Sequence, residues 1–340
     1  ADADYSRFQT FHFVAACIST NVSDAERYVF MQTSIDSLVT HHYRTVNGQS
    51  WHWVEMGVGD PVVLLHGIPE SWYCWHHQIP QLAQQFRVIA PDLKGYGLSG
   101  KEDGDYTTPN CAREILALLS SLKIETFRLA GHDWGSPIAD RICEQAPDRV
   151  LQYVRASISV HRYDVRNSLH HYYLNRDPIA GARLMKSSAV YVGIWFDSSC
   201  YPGTKPPQAE IDRIALEFSQ PGVAEAVVRY FRDMGKTPAM DYSKLTMPVL
   251  YVHGEYDPRQ PLEYVRGIED FIPGLEAVLL LECGHFVTHE RPEEMSKAML
   301  YFFNNLLAPG VPLFERSVAR GLPTRPKNPI ETKGWAFTGE

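Results

Sequence analysis

The sequence predicts an α/β chain: a mostly parallel central sheet with helices on both faces and a helical cap inserted late in the chain. Three observations predict it. Short, uninterrupted apolar runs alternate with helical stretches between residues 62 and 157, which is the pattern of strands buried on both faces. The alternation breaks from about 161 to 242, where helical stretches follow one another with no buried strand between them. It resumes at Val249 to Val252 and at Val278 to Leu281.

The elements follow in order. Residues 1–36 read as an N-terminal extension, in which Ser23-Asp24-Ala25-Glu26 has capping-box spacing and predicts a short helix. Tyr43 to Val46 and Trp51 to Met56 flank Asn47-Gly48, the strongest short hairpin signal. Strands are expected at Val62 to Leu65, Arg87 to Ala90, Phe127 to Ala130 and Val150 to Ser157. Helices are expected at Trp72 to Gln85, from Thr108-Pro109 to Ser121 with proline in the first turn, and from Gly135 to Gln145. These place a core over 37–160 and 243–307 and a helical cap over 161–242. Leu169 to Leu174, Ile211 to Ser219 and Val223 to Met234 read as the cap's helices. A last helix runs from Pro292 to Leu307, and the Pro- and Gly-rich residues 308–340 form a C-terminal tail.

Composition narrows the function classes. With 340 residues, 44% hydrophobic and 21% charged, the chain can bury a large core and a pocket. A net charge of −8 argues against a nucleic-acid partner. No apolar run approaches a membrane span, so a soluble protein is expected. The chain begins at Ala1; a cytoplasmic location is the expectation and a secreted one the alternative. The oligomeric state stays open, with a homodimer as one possibility. Six sparse cysteines read as small core residues rather than a disulfide framework, with one bridge left open. The histidine pairs 41–42, 76–77 and 170–171 would point to opposite faces if they lay on strands, which suits no single metal. No metal or organic cofactor is expected.

The chemistry is concentrated at four strand ends. Phe127 to Ala130 leads directly into Gly131-His132-Asp133-Trp134-Gly135 and then a helix, the spacing of a nucleophile elbow with aspartate in the centre. Small residues at both ends permit the sharp turn, and the helix N-terminus favours negative charge there. Val62 to Leu65 ends in His66-Gly67-Ile68-Pro69-Glu70, a loop suited to donating a backbone N–H to an oxyanion. The expected donors are the backbone N–H groups of Ile68 and Trp134. A later strand ends near Asp257, and the next in Cys283-Gly284-His285-Phe286. The order nucleophile, acid, histidine makes Asp257 the orienter of His285 and His285 the general base, with Glu255 a weaker candidate for the acid. Taken singly, each motif has a plainer reading: Asp133 as a helix cap, Asp257 as an Asp-Pro turn, His285 as a loop histidine. His66 reads better as a brace between loops than as a catalyst.

These stretches, together with Pro91-Asp92-Leu93-Lys94-Gly95-Tyr96-Gly97-Leu98-Ser99, resemble the epoxide hydrolase and haloalkane dehalogenase branch of the α/β-hydrolase fold over about residues 40–307. The resemblance implies attack by Asp133 on a saturated carbon. A carboxylate is already anionic at neutral pH and needs no base for that step, whereas the ester it forms needs histidine-activated water. It also implies cap tyrosines that polarise an epoxide oxygen. Tyr172-Tyr173 resembles the first, and the run Arg229-Tyr230-Phe231-Arg232 resembles the segment carrying the second, with Phe231 where the tyrosine is expected and Tyr230 one residue before it. Tyr173 and Tyr230 are therefore the expected donors, and Trp134, Tyr172, Phe231 and Phe286 the expected substrate contacts. The same tyrosines could simply pack the lid. A small apolar epoxide is the expected substrate. A haloalkane dehalogenase is the first alternative, although Ile68 stands where a halide-binding Asn is frequent. A catalytically silent ligand-binding relative is the second.

Overall fold

The computed structural model describes residues 34–159 and 185–306. Its frame is an eight-stranded sheet in the order β1-β2-β4-β3-β5-β6-β7-β8. The strands are β1 (Thr40–Val46), β2 (Gln49–Met56), β3 (Pro61–Leu65), β4 (Arg87–Pro91), β5 (Phe127–His132), β6 (Val150–Ala156), β7 (Val249–Gly254) and β8 (Leu275–Leu281). β2 pairs antiparallel with β1 and with β4; every later pairing is parallel. The hairpin closes at Val46 opposite Gln49, with Asn47 and Gly48 both at positive φ (51° and 84°), as a two-residue turn matched to strand twist requires.

The helices among the described residues are α1 (Gln78–Leu82), α2 (Thr108–Ser121), α3 (Gly135–Gln145), α4 (Ser188–Ser199), α5 (Gln208–Phe218), α6 (Val223–Met234), α7 (Val287–Glu290) and α8 (Pro292–Phe303). None is long and apolar enough to cross a membrane. Helix cover on both faces is why Val62, Val63, Leu64 and Leu65 are all buried and carry no polar alternation. Each such side chain contributes roughly 1.5–3 kcal/mol by leaving water.

Several expectations are corrected. Trp72 to Gln85 is not one helix: a 3₁₀ turn spans Trp72–Trp75, His76 and His77 form a bend, and α1 begins afresh at Gln78. Pro80 has no N–H to give to residue 76, so it must sit in the first turn of a new helix, where that donor is not needed. α8 stops at Phe303, not Leu307. α4 is an unexpected helix. Its apolar residues run right round it, with Val190 and Ile194 exposed and Tyr191, Val192, Trp195 and Phe196 buried, so no polar stripe marks its period. Residues 34–36 belong to the body rather than to an extension: Ile35 is buried and Asp36 pairs with Arg213 of α5 at 3.0 Å. Cys74, Cys111, Cys143, Cys200 and Cys283 are all free thiols. Cys17, the expected helix near Ser23, the expected helix at Leu169, Tyr172 and Tyr173, and the tail lie outside the described residues.

Because β3, β5, β6, β7 and β8 run parallel, their carboxyl ends share one edge. The insertion carrying α4, α5 and α6 leaves after β6 and returns before β7. It packs on the loops of that edge: Trp134 lies against Tyr230 and Phe231, and Phe196 stacks on Phe286.

Candidate active site

The site begins with a backbone turn. Asp133 follows β5 at φ 48°, in the left-handed region that a non-glycine residue rarely adopts. The chain can turn there only because its flanks are bare. A Cβ on Gly131 would come 2.7 Å from the carbonyl of Gly135, and one on Gly135 would strike the backbone of β3. The turn is pinned by Ser136, whose hydroxyl bridges the carbonyls of Gly131 (2.8 Å) and Ala156 (3.0 Å). It lifts the Asp133 side chain out of the sheet edge, leaving it partly accessible.

Asp133 faces the expected partners on two sides. The Ile68 N–H donates to Oδ1 at 2.8 Å. Gly67, just before it, is so close that any Cβ there would collide with the Asp133 side chain. Oδ2 stands 3.2 Å from Nε2 of His285. His285 Nδ1 donates to Asp257 Oδ2 at 2.7 Å, and Asp257 Oδ1 accepts from the N–H groups of Arg259 (2.7 Å) and Gln260 (3.0 Å). Asp257, not Glu255, therefore holds the imidazole. Trp134, the other expected backbone donor, is the residue from which α3 starts.

Electrostatics follow from burial and pairing. Burial opposes charge on His285, but Asp257 and Asp133 flank it and raise its pKa to about 10. Burial would likewise raise Asp257, yet the His285 beside it holds its carboxyl below the usual range. Both flanking carboxyl groups thus favour the protonated form of His285.

The loops around this triad are held by residues that sequence reasoning used little or missed. His66 takes the bracing role: Nδ1 donates to the Gly67 carbonyl and Nε2 accepts from the Leu93 N–H, both at 2.9 Å. Glu290 clasps the His285 loop, accepting from the N–H groups of Gly284 (2.8 Å) and Phe286 (2.9 Å), while His285 N–H donates to the Ser199 carbonyl at the end of α4. Glu70 is buried between His289 (2.7 Å) and His132 (3.3 Å). Its sequence signal was the HGIPE loop itself, but nothing in the chain says that His289 would lie beside it.

Two expected roles change. The Tyr230 hydroxyl donates to the Lys94 carbonyl at 2.8 Å and meets the Cys111 thiol at 3.8 Å. Its single proton is committed away from Asp133, so Tyr230 is a packing residue with a satisfied handle. Phe286 does not line an open pocket. It is fully buried, stacked on Phe196 at 4.1 Å and edge-on to His285 at 5.3 Å, so it supports the histidine loop. Phe231 does pack beside Trp134, with ring centroids 5.8 Å apart.

Another tyrosine, Tyr191, comes from α4. It is buried, and its hydroxyl proton meets no acceptor among the described residues. Burial first, then the negative charge of Asp133, raise its pKa, while the Trp195 indole acts as a donor toward its oxygen. The Tyr96 hydroxyl and the Trp134 indole N–H are also buried without partners among the described residues, and Tyr96 feels both Tyr191 and Asp133. Buried donors left unpaired are costly, by about 1–3 kcal/mol each. A small open cleft beside Trp134, lined by residues such as Pro137, Met234 and Tyr242, includes neither Asp133 nor His285.

Fold and site define an α/β-hydrolase, and residues 60–187 match the family model for the alpha/beta hydrolase fold. Within that fold, the chain belongs to the epoxide hydrolase family. It is 30% identical over 284 residues to a soluble epoxide hydrolase of Corynebacterium sp. (strain C12), covering 78% of this chain and 97% of that one. It is 29% identical to epoxide hydrolase 3 of Mus musculus, over 77% of this chain and 76% of the relative. Among solved structures, the epoxide hydrolase CorEH superposes with a TM-score of 0.69 at 27% identity, covering 79% of this chain and 99% of its own. Epoxide hydrolase VrEH1 of Vigna radiata superposes with a TM-score of 0.71 at 25% identity, over 81% and 100%.

Proposed function

We propose that the chain opens an epoxide to a vicinal diol through a covalent ester on Asp133. One observation carries this reading: a carboxylate stands at the centre of the elbow, with the Ile68 N–H on one oxygen and His285, backed by Asp257, on the other. Asp133 attacks a ring carbon, the C–O bond breaks, and the oxygen takes a proton from a buried donor. Tyr191 is the donor this reading favours, since its proton is uncommitted.

Alkylation neutralises Asp133 and so removes one of the two charges that keep His285 protonated. His285 then gives up its proton, which restores the Tyr191 phenolate to the phenol, and the neutral imidazole takes a proton from water as that water attacks the Asp133 carboxyl carbon. The N–H groups of Ile68 and Trp134 stabilise the oxyanion formed there. The tetrahedral intermediate collapses by breaking its bond to the diol oxygen, which takes the proton of the added hydroxyl as it leaves, and Asp133 is restored as carboxylate beside protonated His285. The core over 37–160 and 243–307 supplies the triad and the aromatic wall of Trp134, and the insertion between β6 and β7 acts as a cap that supplies the proton donor and the aromatic wall of Phe231. Such walls suit a small apolar epoxide. Five free cysteines suit a reducing compartment.

A haloalkane dehalogenase reading keeps one observation of its own, the unpartnered indole N–H of Trp134. Styrene oxide beside 1-bromobutane separates the two: diol from the former is expected, and bromide release from the latter without diol would overturn the proposal.

A further inference from the structure

Away from Asp133, three elements meet at a cluster of imidazoles and one carboxylate. His76 and His77 come from the bend before α1, Glu210 from the first turn of α5 in the insertion, and His289 from α7. The adjacent histidines do not diverge as they would on a strand. Both have right-handed helical backbone, at φ −60° and −79°, and their rings lie 3.8 Å apart by centroid. One ligand atom from each of the four residues can be chosen so that all lie within 4.8 Å of one another.

We infer that His76, His77, Glu210 and His289 form a binding site for a zinc-class divalent cation that ties the insertion to the core. Three features of the geometry favour a cation over simple ion pairing. The first is spacing. Glu210 Oε2 stands 3.5 Å from His76 Nε2 and 3.4 Å from His289 Nδ1, and its Oε1 stands 3.4 Å from His77 Nε2. These are long for charge-assisted hydrogen bonds, which run near 2.7–2.9 Å. Four donors each about 2.1 Å from a zinc ion lie about 3.4 Å from one another.

The second is the tautomer of two rings. His76 donates from Nδ1 to the Tyr73 carbonyl at 2.8 Å, which leaves Nε2 as the lone-pair nitrogen facing the cluster. His289 turns Nε2 to the Glu70 carboxylate at 2.7 Å, which leaves Nδ1 facing it. Metal-binding histidines are held in this way, with the far nitrogen on a carbonyl or carboxylate that orients the ring and increases its basicity.

The third is access. The His77 side chain is 35% exposed and that of Glu210 is 16% exposed, so a hydrated cation reaches the cluster from solvent without opening the core. Three imidazoles and one carboxylate match zinc in ligand type and number, and disfavour magnesium and calcium, which prefer oxygen.

Such a site lies one step behind the catalytic histidine without touching the substrate. His289 is four residues after His285, and its Glu70 partner continues to His132, whose Nε2 donates to the His285 carbonyl at 3.1 Å. A bound cation would cross-link α5, the bend before α1 and the turn that carries His285. It is a structural tie, and the reaction steps above do not pass through it.

The test uses the full chain without a histidine tag. After chelator treatment and desalting, zinc titration followed by calorimetry should give one equivalent bound with at least micromolar affinity. The unfolding midpoint should rise by a few degrees in zinc over the chelated protein, since only the folded state assembles the site. Cobalt should give the intense visible bands of a four-coordinate ion. The combined variant His77→Ala, Glu210→Gln should lose the stoichiometric binding by at least 10-fold in affinity and lose the thermal shift. Anomalous diffraction at the zinc edge from soaked wild-type crystals provides a readout independent of variant folding, with the peak expected among the four side chains. No stoichiometric binding by wild type, binding unchanged in the double variant, or a peak elsewhere would each overturn the inference.

Discussion

The backbone N–H of Ile68 sits 2.8 Å from Oδ1 of Asp133, which joins the loop after β3 to the elbow after β5 through a single atom. In the proposed reaction, the same N–H that steadies the resting carboxylate would receive the charge that develops when water attacks the Asp133 ester, so one contact would serve both chemical steps. This has consequences that can be measured.

A single turnover in ¹⁸O-water with enzyme in excess should leave label in the protein, in the tryptic peptide that ends at Arg141 and contains Asp133. The first diol should carry an oxygen from Asp133. Label in the first diol with none in that peptide would mean that Asp133 only activates water, and the covalent route would fall.

His285→Gln removes the base of the second step and leaves the nucleophile. Intact-protein mass spectrometry should show a stable adduct heavier by the mass of the epoxide, with turnover lowered by about 10³-fold or more. Normal turnover in this variant would remove His285 from the mechanism.

Tyr191→Phe and Tyr230→Phe should behave differently. Loss of a donor to the opening oxygen costs roughly 2.7–4 kcal/mol, so alkylation should slow on the order of 10²-fold in Tyr191→Phe. Tyr230→Phe strands the Lys94 carbonyl instead, so it should lower stability by about 1–3 kcal/mol with little change in alkylation rate. The reverse pattern would restore Tyr230 as the donor.

Gly67→Ala should abolish activity more than stability, because the added methyl meets the Asp133 side chain rather than a flexible neighbour. The expected signature is a large fall in kcat/KM with an unfolding midpoint within a few degrees of wild type. Retention of more than about a tenth of the activity would show that the loop can retreat, at a ΔΔG‡ of only about 1.4 kcal/mol.

Stability should depend on pH in a definite direction. His285 has a folded pKa raised to about 10, against roughly 6.5 in an unfolded chain. Its pairing therefore contributes fully below about pH 6.5 and is lost as pH rises through about 10. Asp257 is shifted the other way, so its contribution is present above about pH 4 and lost as pH falls below it. The thermal midpoint should be highest near pH 5–7 and decline on both sides. A midpoint still rising between pH 7 and 10 would contradict the pairing of this histidine.

Much of this protein is legible one-dimensionally, for a physical reason. A buried strand is a run of apolar residues, a sharp strand–helix turn needs small residues on both sides of the apex, and a hairpin needs residues that accept positive φ. Each of those demands falls on neighbours in the chain, so Asn47-Gly48, the limits of α2 and the elbow around Asp133 can all be read off directly. Asp257 and His285 are legible because parallel strands bring their carboxyl ends to one edge whatever the loops do. What the sequence by itself determined, then, was the sheet, the elbow and the order of the triad.

Only the tertiary structure decided where a side chain's far end goes. Tyr230 and Tyr191 are both tyrosines of helices in the insertion, yet one gives its proton to Lys94 and the other meets no acceptor among the described residues, because the neighbours that differ come from elements far away in the chain. α4 escaped notice because its apolar residues leave no polar stripe to mark a period. The meeting of His76, His77, Glu210 and His289 depends on three elements packing together, one of them separated from the others by more than a hundred residues. Local propensity has no knowledge of such a meeting, since the free energy that creates it is released only when the insertion closes on the core.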